Sequence, residues 1–340
     1  MGNSMRMKCL AALLAAGLMT FTGCASDDDS PLAPAGPVGP AVLVVYGSNR
    51  PPTDPLGQDL FVKDLSSSEP AWRVPNVNTI SVDGPCGLSA DGRLLAFFTF
   101  RFFTGSIGTI GLYDVETGSI RLPVQVSSLF NAQNPALSGD GHYLAVQEQV
   151  GGPFEQQIVL EDLTADTLVI LPSINEDLVA NFDPSLNGDG SLIAFGSNGS
   201  RSIGNFDILL YSVPGDTFVA LPGLNSTLND LAPSLSEDGR YLVFQSGRLG
   251  GSGIIDIYLY DRVTSSLVPL PGLNTVLSEI TPAISPDGRY IAFTTESEGG
   301  DDIGFYDVVE QKRLTVEGVN DPLWAEAQAT LSRRPARIAK

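Results

Sequence analysis

The 340-residue chain carries one histidine, His142, and three cysteines, Cys9, Cys24 and Cys86. A single imidazole excludes a metal centre built from several histidines, and no partner residues flag a serine triad. Gly251-Ser252-Gly253 lacks the G-x-S-x-G spacing that exposes a nucleophilic serine on a strand-to-helix turn. Carboxylates are plentiful, with 39 Asp and Glu against 19 Lys and Arg and a net charge of -20. Two carboxylates alone can cleave a glycosidic bond, so a carboxylate-dependent carbohydrate hydrolase or lyase is the enzyme class left open. The same charge repels polyanions, which sets nucleic acid aside as a partner. Asn187-Gly188-Asp189-Gly190 lacks the spaced ligands and distal Glu of a calcium loop, and no metal or cofactor is expected. His142 follows an Asp-Gly pair and reads as a solvated turn residue.

The cysteines point to an address. Arg6 and Lys8 precede fifteen apolar or small residues, Cys9 to Gly23, too few to span a bilayer and suited to a secretory signal. Phe21-Thr22-Gly23-Cys24 resembles the bacterial lipobox, which implies cleavage before Cys24 and acylation of Cys24. Two or more acyl chains would anchor the protein stably. Ala25 and Ser26, in place of Asp, imply the outer membrane over the inner one by the same resemblance. Residues 1–23 are thus expected to be a signal peptide, and residues 24–40 a lipidated cysteine followed by a Pro/Gly-rich tether. Such a segment cannot bury a core, and at ~3.1 Å per residue it reaches roughly 50 Å. Cys86, left without a thiol partner in the body, reads as a small buried hydrophobe.

The elements that must position any site repeat. Asp-Gly pairs begin at Asp91, Asp140, Asp189, Asp238 and Asp287, every interval being 49 residues. These five aspartates are expected to be structural turn formers, the preferred chemistry of a tight hairpin. Each is followed by an apolar strand, a Gly/Ser-rich loop, an alternating strand such as DIYLYD (256–261), and a last strand closing on Leu-Pro. Four strands per 49 residues, with no helical periodicity, is a propeller-blade signature. VLVVYGS (42–48) and DLFVKD (59–64) match the second and third strands, so the first blade lacks its inner strand. ATLS (329–332) resembles that missing strand. The expected fold class is all-β: a six-bladed propeller over 41–340, closed by a C-terminal strand that completes the N-terminal blade.

The unit P-x-(L/I)-S-x-D-G-R-x-(I/L)-A-F, followed by D-I-x-x-Y-D, resembles the TolB-like, or WD-like, propeller repeat. The resemblance covers the body and implies a periplasmic ring that binds an envelope lipoprotein. The family's additional N-terminal α/β domain has no counterpart before the first blade, which implies a relative with its own partner. Loops joining second to third strands share a face with those joining one blade to the next, and propellers commonly bind there. On that face the candidate interface residues are Arg50, Arg101, Phe102, Phe103, Phe154, Arg201 and Arg248, since arginine and aromatics anchor interfaces. A recurring Ser-x-Arg (Ser48–Arg50, Ser246–Arg248) also fits a blade brace. Arg333, Arg334, Arg337 and Lys340 form a basic cluster near the C-terminus. The expected function is therefore a monomeric, lipid-anchored binding or scaffold module of the cell envelope, without catalytic residues. It would present its loop face to a protein or to a peptidoglycan or glycan component. The alternatives are the carbohydrate enzyme above and a small-ligand or metal-binding sensor.

Overall fold

Apolar alternation interrupted by an Asp-Gly turn every 49 residues folds into six four-stranded antiparallel sheets. The computed structural model describes residues 42–49, 59–78, 83–102, 108–129, 131–150, 155–175, 179–297, 300–321, 325–333 and 335. The signal peptide, Cys24 and the tether lie outside the described residues. Blade I holds β1 (Val42–Ser48), β2 (Asp59–Asp64) and β3 (Trp72–Arg73). Blade II holds β4 (Asp83–Leu88), β5 (Leu94–Thr99), β6 (Thr109–Asp114) and β7 (Ile120–Arg121). Blade III holds β8 (Ala132–Leu137), β9 (Tyr143–Gln149), β10 (Gln156–Asp162) and β11 (Thr167–Val169). Blade IV holds β12 (Asn181–Leu186), β13 (Leu192–Ser197), β14 (Asp207–Ser212) and β15 (Thr217–Val219). Blade V holds β16 (Asp230–Leu235), β17 (Tyr241–Ser246), β18 (Asp256–Asp261) and β19 (Ser266–Val268). Blade VI holds β20 (Glu279–Ile284), β21 (Tyr290–Thr295), β22 (Asp302–Asp307) and β23 (Lys312–Leu314).

The last strand, β24 (Glu326–Arg333), returns to blade I as its inner strand, pairing Arg333 with Val42 and Glu326 with Ser48. The ring thus closes as the sequence predicts, and closure removes the edge that β1 would otherwise expose.

The core lies between blades. In β1 every residue is buried, because successive side chains point to opposite neighbours. Val42, Val44 and Tyr46 meet Tyr290, Ala292 and Phe305 of blade VI, while Leu43 and Val45 meet Leu95, Phe97 and Tyr113 of blade II. Four more clusters of the same kind complete the circle.

The repeat's polar residues fasten this ring. The Tyr260 hydroxyl donates to the Pro222 carbonyl of the preceding blade at 2.9 Å, and Tyr306 donates to Pro271 at 3.0 Å. The Leu-Pro pairs lie just past the outer strands, which are only two or three residues long, so the proline carbonyls are free to accept. Arg240 and Arg289 pair with Asp261 and Asp307, tying the Asp-Gly-Arg turn to the Tyr-Asp strand end. An asparagine beyond the outer strand staples the third strand: Asn274 accepts from Ile257 N–H and donates to its carbonyl, both at 2.9 Å. Asn78, Asn175, Asn225 and Asn320 do the same in their blades.

Candidate functional site: the mouth of the central channel

Inner strands run from the inter-blade loops toward the Asp-Gly turns, so the ring has a loop face and a turn face. Between the six inner strands lies a channel of about 240 Å3. Its mouth, on the loop face, is made by a repeated irregularity. Each inner strand of blades III to VI shifts register against its neighbour, after Gln133, Phe182, Leu231 and Ile280. The next residue then adopts a left-handed backbone: Asn134 (φ 48°), Asp183 (51°), Ala232 (49°) and Thr281 (46°), with Gln328 (56°) in blade I. Asn and Asp tolerate this region, whereas a β-branched Thr is a genuine outlier there. Strain of this kind costs of order 1–3 kcal/mol per residue and collects at sites of function.

Neighbouring blades hold the bulges in place. Gln147 Oε1 accepts from Asp183 N–H at 3.3 Å and from the Asn134 amide at 3.2 Å. Gln245 Oε1 accepts from Thr281 N–H at 2.7 Å, and Thr294 Oγ1 accepts from Gln328 N–H at 3.2 Å. Asn134 Nδ2 also donates to Asp183 Oδ1 at 2.6 Å. Burial raises the Asp183 carboxyl above its ordinary range, and the Asn134 hydrogen bond partly offsets this.

A belt of backbone hydrogen bonds narrows the opposite end. Arg333 N–H donates to Ala90 O, Ala90 to Gly139, Asp140 to Gly188, Gly188 to Glu237 and Glu237 to Pro286, at 2.7–3.0 Å. The strands approach so closely that a Cβ on Gly188 would sit 2.7 Å from the Glu237 carbonyl oxygen. Arg333 also clasps the Glu237 carboxylate, reaching past blade VI to blade V.

This geometry separates the channel's carboxylates. Among the described lining residues they are Asp183 at the mouth and Glu237 at the narrow end. Five residues of strand part the two levels, roughly 15 Å at ~3.3 Å per residue, beyond the ~5–9.5 Å between carboxylates that cleave glycosides. Among the described residues no three His, Cys, Asp or Glu gather in a metal-binding group.

The residues singled out from the sequence fall in different places. Each Asp-Gly aspartate accepts from the residue two before it and the N–H two after it. Examples are Ser89 and Arg93 at Asp91, Ser138 and His142 at Asp140, and Asn187 and Ser191 at Asp189. Asp238 and Asp287 repeat the pattern. His142 is exposed beside Asp140. Arg101 donates to the carbonyls of Asn76 and Val77 and lies near the Phe102 ring, which is 38% exposed. Arg201 is exposed and stacks on Phe218 at 4.1 Å.

Arg248 is turned inward. It pairs with buried Asp230 at 2.7 Å, donates to Leu224 O, and lies over the rings of both Phe244 and Tyr258. It braces blade V, and only 14% of its side chain is exposed. Arg50, Phe103 and Phe154 lie outside the described residues, as do Arg334, Arg337 and Lys340. Cys86 falls in β4, but its side chain is not among those described.

Sequence reasoning passed over the bulge residues and an aliphatic crescent beside them. Leu249 (93% exposed), Val276 (86%) and Ile254 (82%) project from loops of the same face, as do Ile203, Leu228 and Leu277. An apolar groove of about 280 Å3 is lined by Leu228, Leu231, Gln245, Ile254 and Ile255. Gln245 links this groove to the bulge of blade VI, since it also accepts from Thr281 N–H. The available signal was aliphatic side chains within a Gly/Ser-rich loop, RLGGSGIID (248–256).

No family model matches the sequence, and no curated protein matches it. Solved structures do resemble it. TolB from Acinetobacter baumannii superimposes with a TM-score of 0.64 at 18% identity, over 85% of this chain and 66% of that one. A putative TolB from Agrobacterium tumefaciens gives 0.55 at 15% identity, over 82% of this chain and 88% of that one. An oligogalacturonate lyase in complex with manganese gives 0.51 at 14% identity, over 73% of this chain and 71% of that one. The chain spans just under two thirds of the Acinetobacter protein. Its fold is a TolB-like six-bladed propeller.

Proposed function

We infer that the protein is a lipid-anchored binding module of the bacterial cell envelope, and that the channel-mouth face docks a protein partner. One observation carries the reading: left-handed residues in five inner strands form a rim that is polar at four of them, and exposed aliphatic side chains occupy loops of the same face. Strain maintained at equivalent positions favours recognition over packing, and an apolar patch beside a polar rim is the composition of an interface. The separation of Asp183 from Glu237 argues against a carboxylate pair in the channel. The envelope address rests on the lipobox-like FTGC sequence and on the fold's likeness to TolB.

The described chain begins at Val42, paired with Arg333 on the turn face. In vivo crosslinking of the full chain, with Leu249→Ser/Ile254→Ser as comparison, tests the reading. One dominant envelope protein, lost in the variant, supports it. Capture of glycan alone, or of the same proteins by both chains, overturns it. For the anchor, Cys24→Ser should abolish acyl labelling and release the protein from the membrane fraction.

A further inference from the structure

We propose that the channel mouth receives the side-chain cation of a partner protein, a lysine ammonium or an arginine guanidinium, and pairs it with Asp183. The inference rests on the binding reading above and names the chemistry at its centre. Asp183 differs from most of the acidic side chains set into the ring. Asp59, Asp230, Asp261, Glu279 and Asp307 each have an arginine partner. Asp207, Asp256 and Glu161 each accept two or more backbone N–H bonds. The Asp183 carboxylate has one neutral amide, Asn134, and no cation among the described residues. It lines a cavity wide enough for a long side chain. A carboxylate partly withdrawn from bulk water without a counter-ion is costly, and a ligand that supplies one recovers part of that cost.

The wall around it is poor in donors. Leu235 N–H and Ile284 N–H point away from their own second strands and are taken by Ser185 and Ser234 of the preceding blades. Strand periodicity puts the residues two earlier, Pro233 and Pro282, on that same edge, and proline has no N–H to offer. Pro135 and Pro184 hold the equivalent positions and also line the channel. The edge facing the channel has therefore lost donors while keeping carbonyls, which suits a ligand made of N–H donors. Asn134 already fills one carboxylate position from the protein side, and burial favours occupation by a counter-charge. The acidic body draws cations toward the ring from a distance.

The test is binding of small probes to the purified full chain, read by calorimetry and by melting temperature. The probes are n-butylammonium, butylguanidinium, Nα-acetyl-lysine methylamide and neutral butanol, with putrescine representing a free amine. The proposal expects saturable binding of the cations and none of butanol. At tenfold over the dissociation constant the melting temperature should rise by about 3 °C. Asp183→Asn keeps the shape and tolerates the left-handed backbone, and it should weaken cation binding at least tenfold. Glu237→Gln, at the other end, should not. Capped lysine binding at least as well as putrescine supports a protein side chain as the source; a clear preference for putrescine overturns that source. Equal binding of butanol, or cation binding unchanged in Asp183→Asn, overturns the pairing. The envelope crosslink repeated with Asp183→Asn separates the two readings. Capture retained there, but lost with Leu249→Ser/Ile254→Ser, would overturn the cation proposal and leave the docking face standing.

Discussion

The strained rim can be tested by making one chemical change at two sites. Ala232 sits at φ 49° in the β16 bulge and is half-buried, whereas Ala194 is fully buried in regular β13. Holding alanine in the left-handed region costs ~1–2 kcal/mol, which glycine recovers. Glycine gives up ~0.4–1 kcal/mol through the greater freedom of the unfolded chain. Losing the methyl costs ~0.8 kcal/mol where it is fully buried and about half that at Ala232. With midpoint values, Ala232→Gly should gain about 0.4 kcal/mol, and Ala194→Gly should lose about 1.5 kcal/mol. The two variants should then differ by about 2 kcal/mol, or about 0.7 M in urea midpoint for a slope near ~3 kcal/mol/M. Urea denaturation followed by tryptophan fluorescence and circular dichroism measures it. If Ala232→Gly loses as much as Ala194→Gly, the bulge stores no strain and the argument that the rim is held for recognition fails.

Asp183 gives a prediction whose size depends on pH. Folding raises its pKa, so the folded state holds the proton more tightly, and stability falls as pH rises from the unfolded value toward the folded one. Asp183→Asn should therefore melt higher than wild type at neutral pH and match it once both forms are uncharged; thermal melts between pH 3 and 8 show this, and a variant less stable throughout would contradict it. Asn274→Ala removes both partners of the buried Ile257 backbone and should cost ~2–3 kcal/mol by urea denaturation. Arg333→Gln breaks the clasp to Glu237, a pair with side chains 52% and 32% exposed, so the loss should stay below ~1 kcal/mol and vanish in 1 M salt. A larger, salt-independent loss would mean that the clasp sets the ring closure.

The architecture was legible because its determinants are local and repeated. An Asp-Gly turn fixes the hairpin, and strands buried on both faces read as near-continuous apolar runs, so the register of one blade predicts the next. Even the closure could be read, since β1 and β24 carry the second-strand and inner-strand patterns at opposite ends of the chain. The mouth was not legible for a physical reason. Asn134-Pro135 and Asp183-Pro184 look like turn initiators or strand breakers. At Asp183 and Thr281 the left-handed bulge is held by Gln147 or Gln245 of the neighbouring blade, and such a contact joins residues 36 apart. Arg248 illustrates the converse. Its residue type suggested an interface anchor, but the recurring Ser-x-Arg spacing belonged to a brace that pairs it with Asp230.

Repetition also explains where specificity can reside. On the turn face, Ser/Asn-x-Asp-Gly must satisfy the same hairpin in blades II to VI, and Gly139 and Gly188 are held by the close approach of adjacent strands. Variation there would break the ring. At the mouth, the constraint falls on the backbone: a bulge must form, while the side chain it aims is free to differ. Asn, Asp, Ala, Thr and Gln occupy that position in successive blades, the first four beside prolines that remove donors from the same edge. A ring with nearly identical blades can therefore present an asymmetric rim, acidic at blade IV, apolar at blade V and hydroxylic at blade VI. The aliphatic loops Ile203, Leu249, Ile254 and Val276 extend that asymmetry outward over blades IV to VI. A partner that meets this face must match both a single off-centre charge and a one-sided apolar flank, which fixes its rotation about the ring axis as well as its identity.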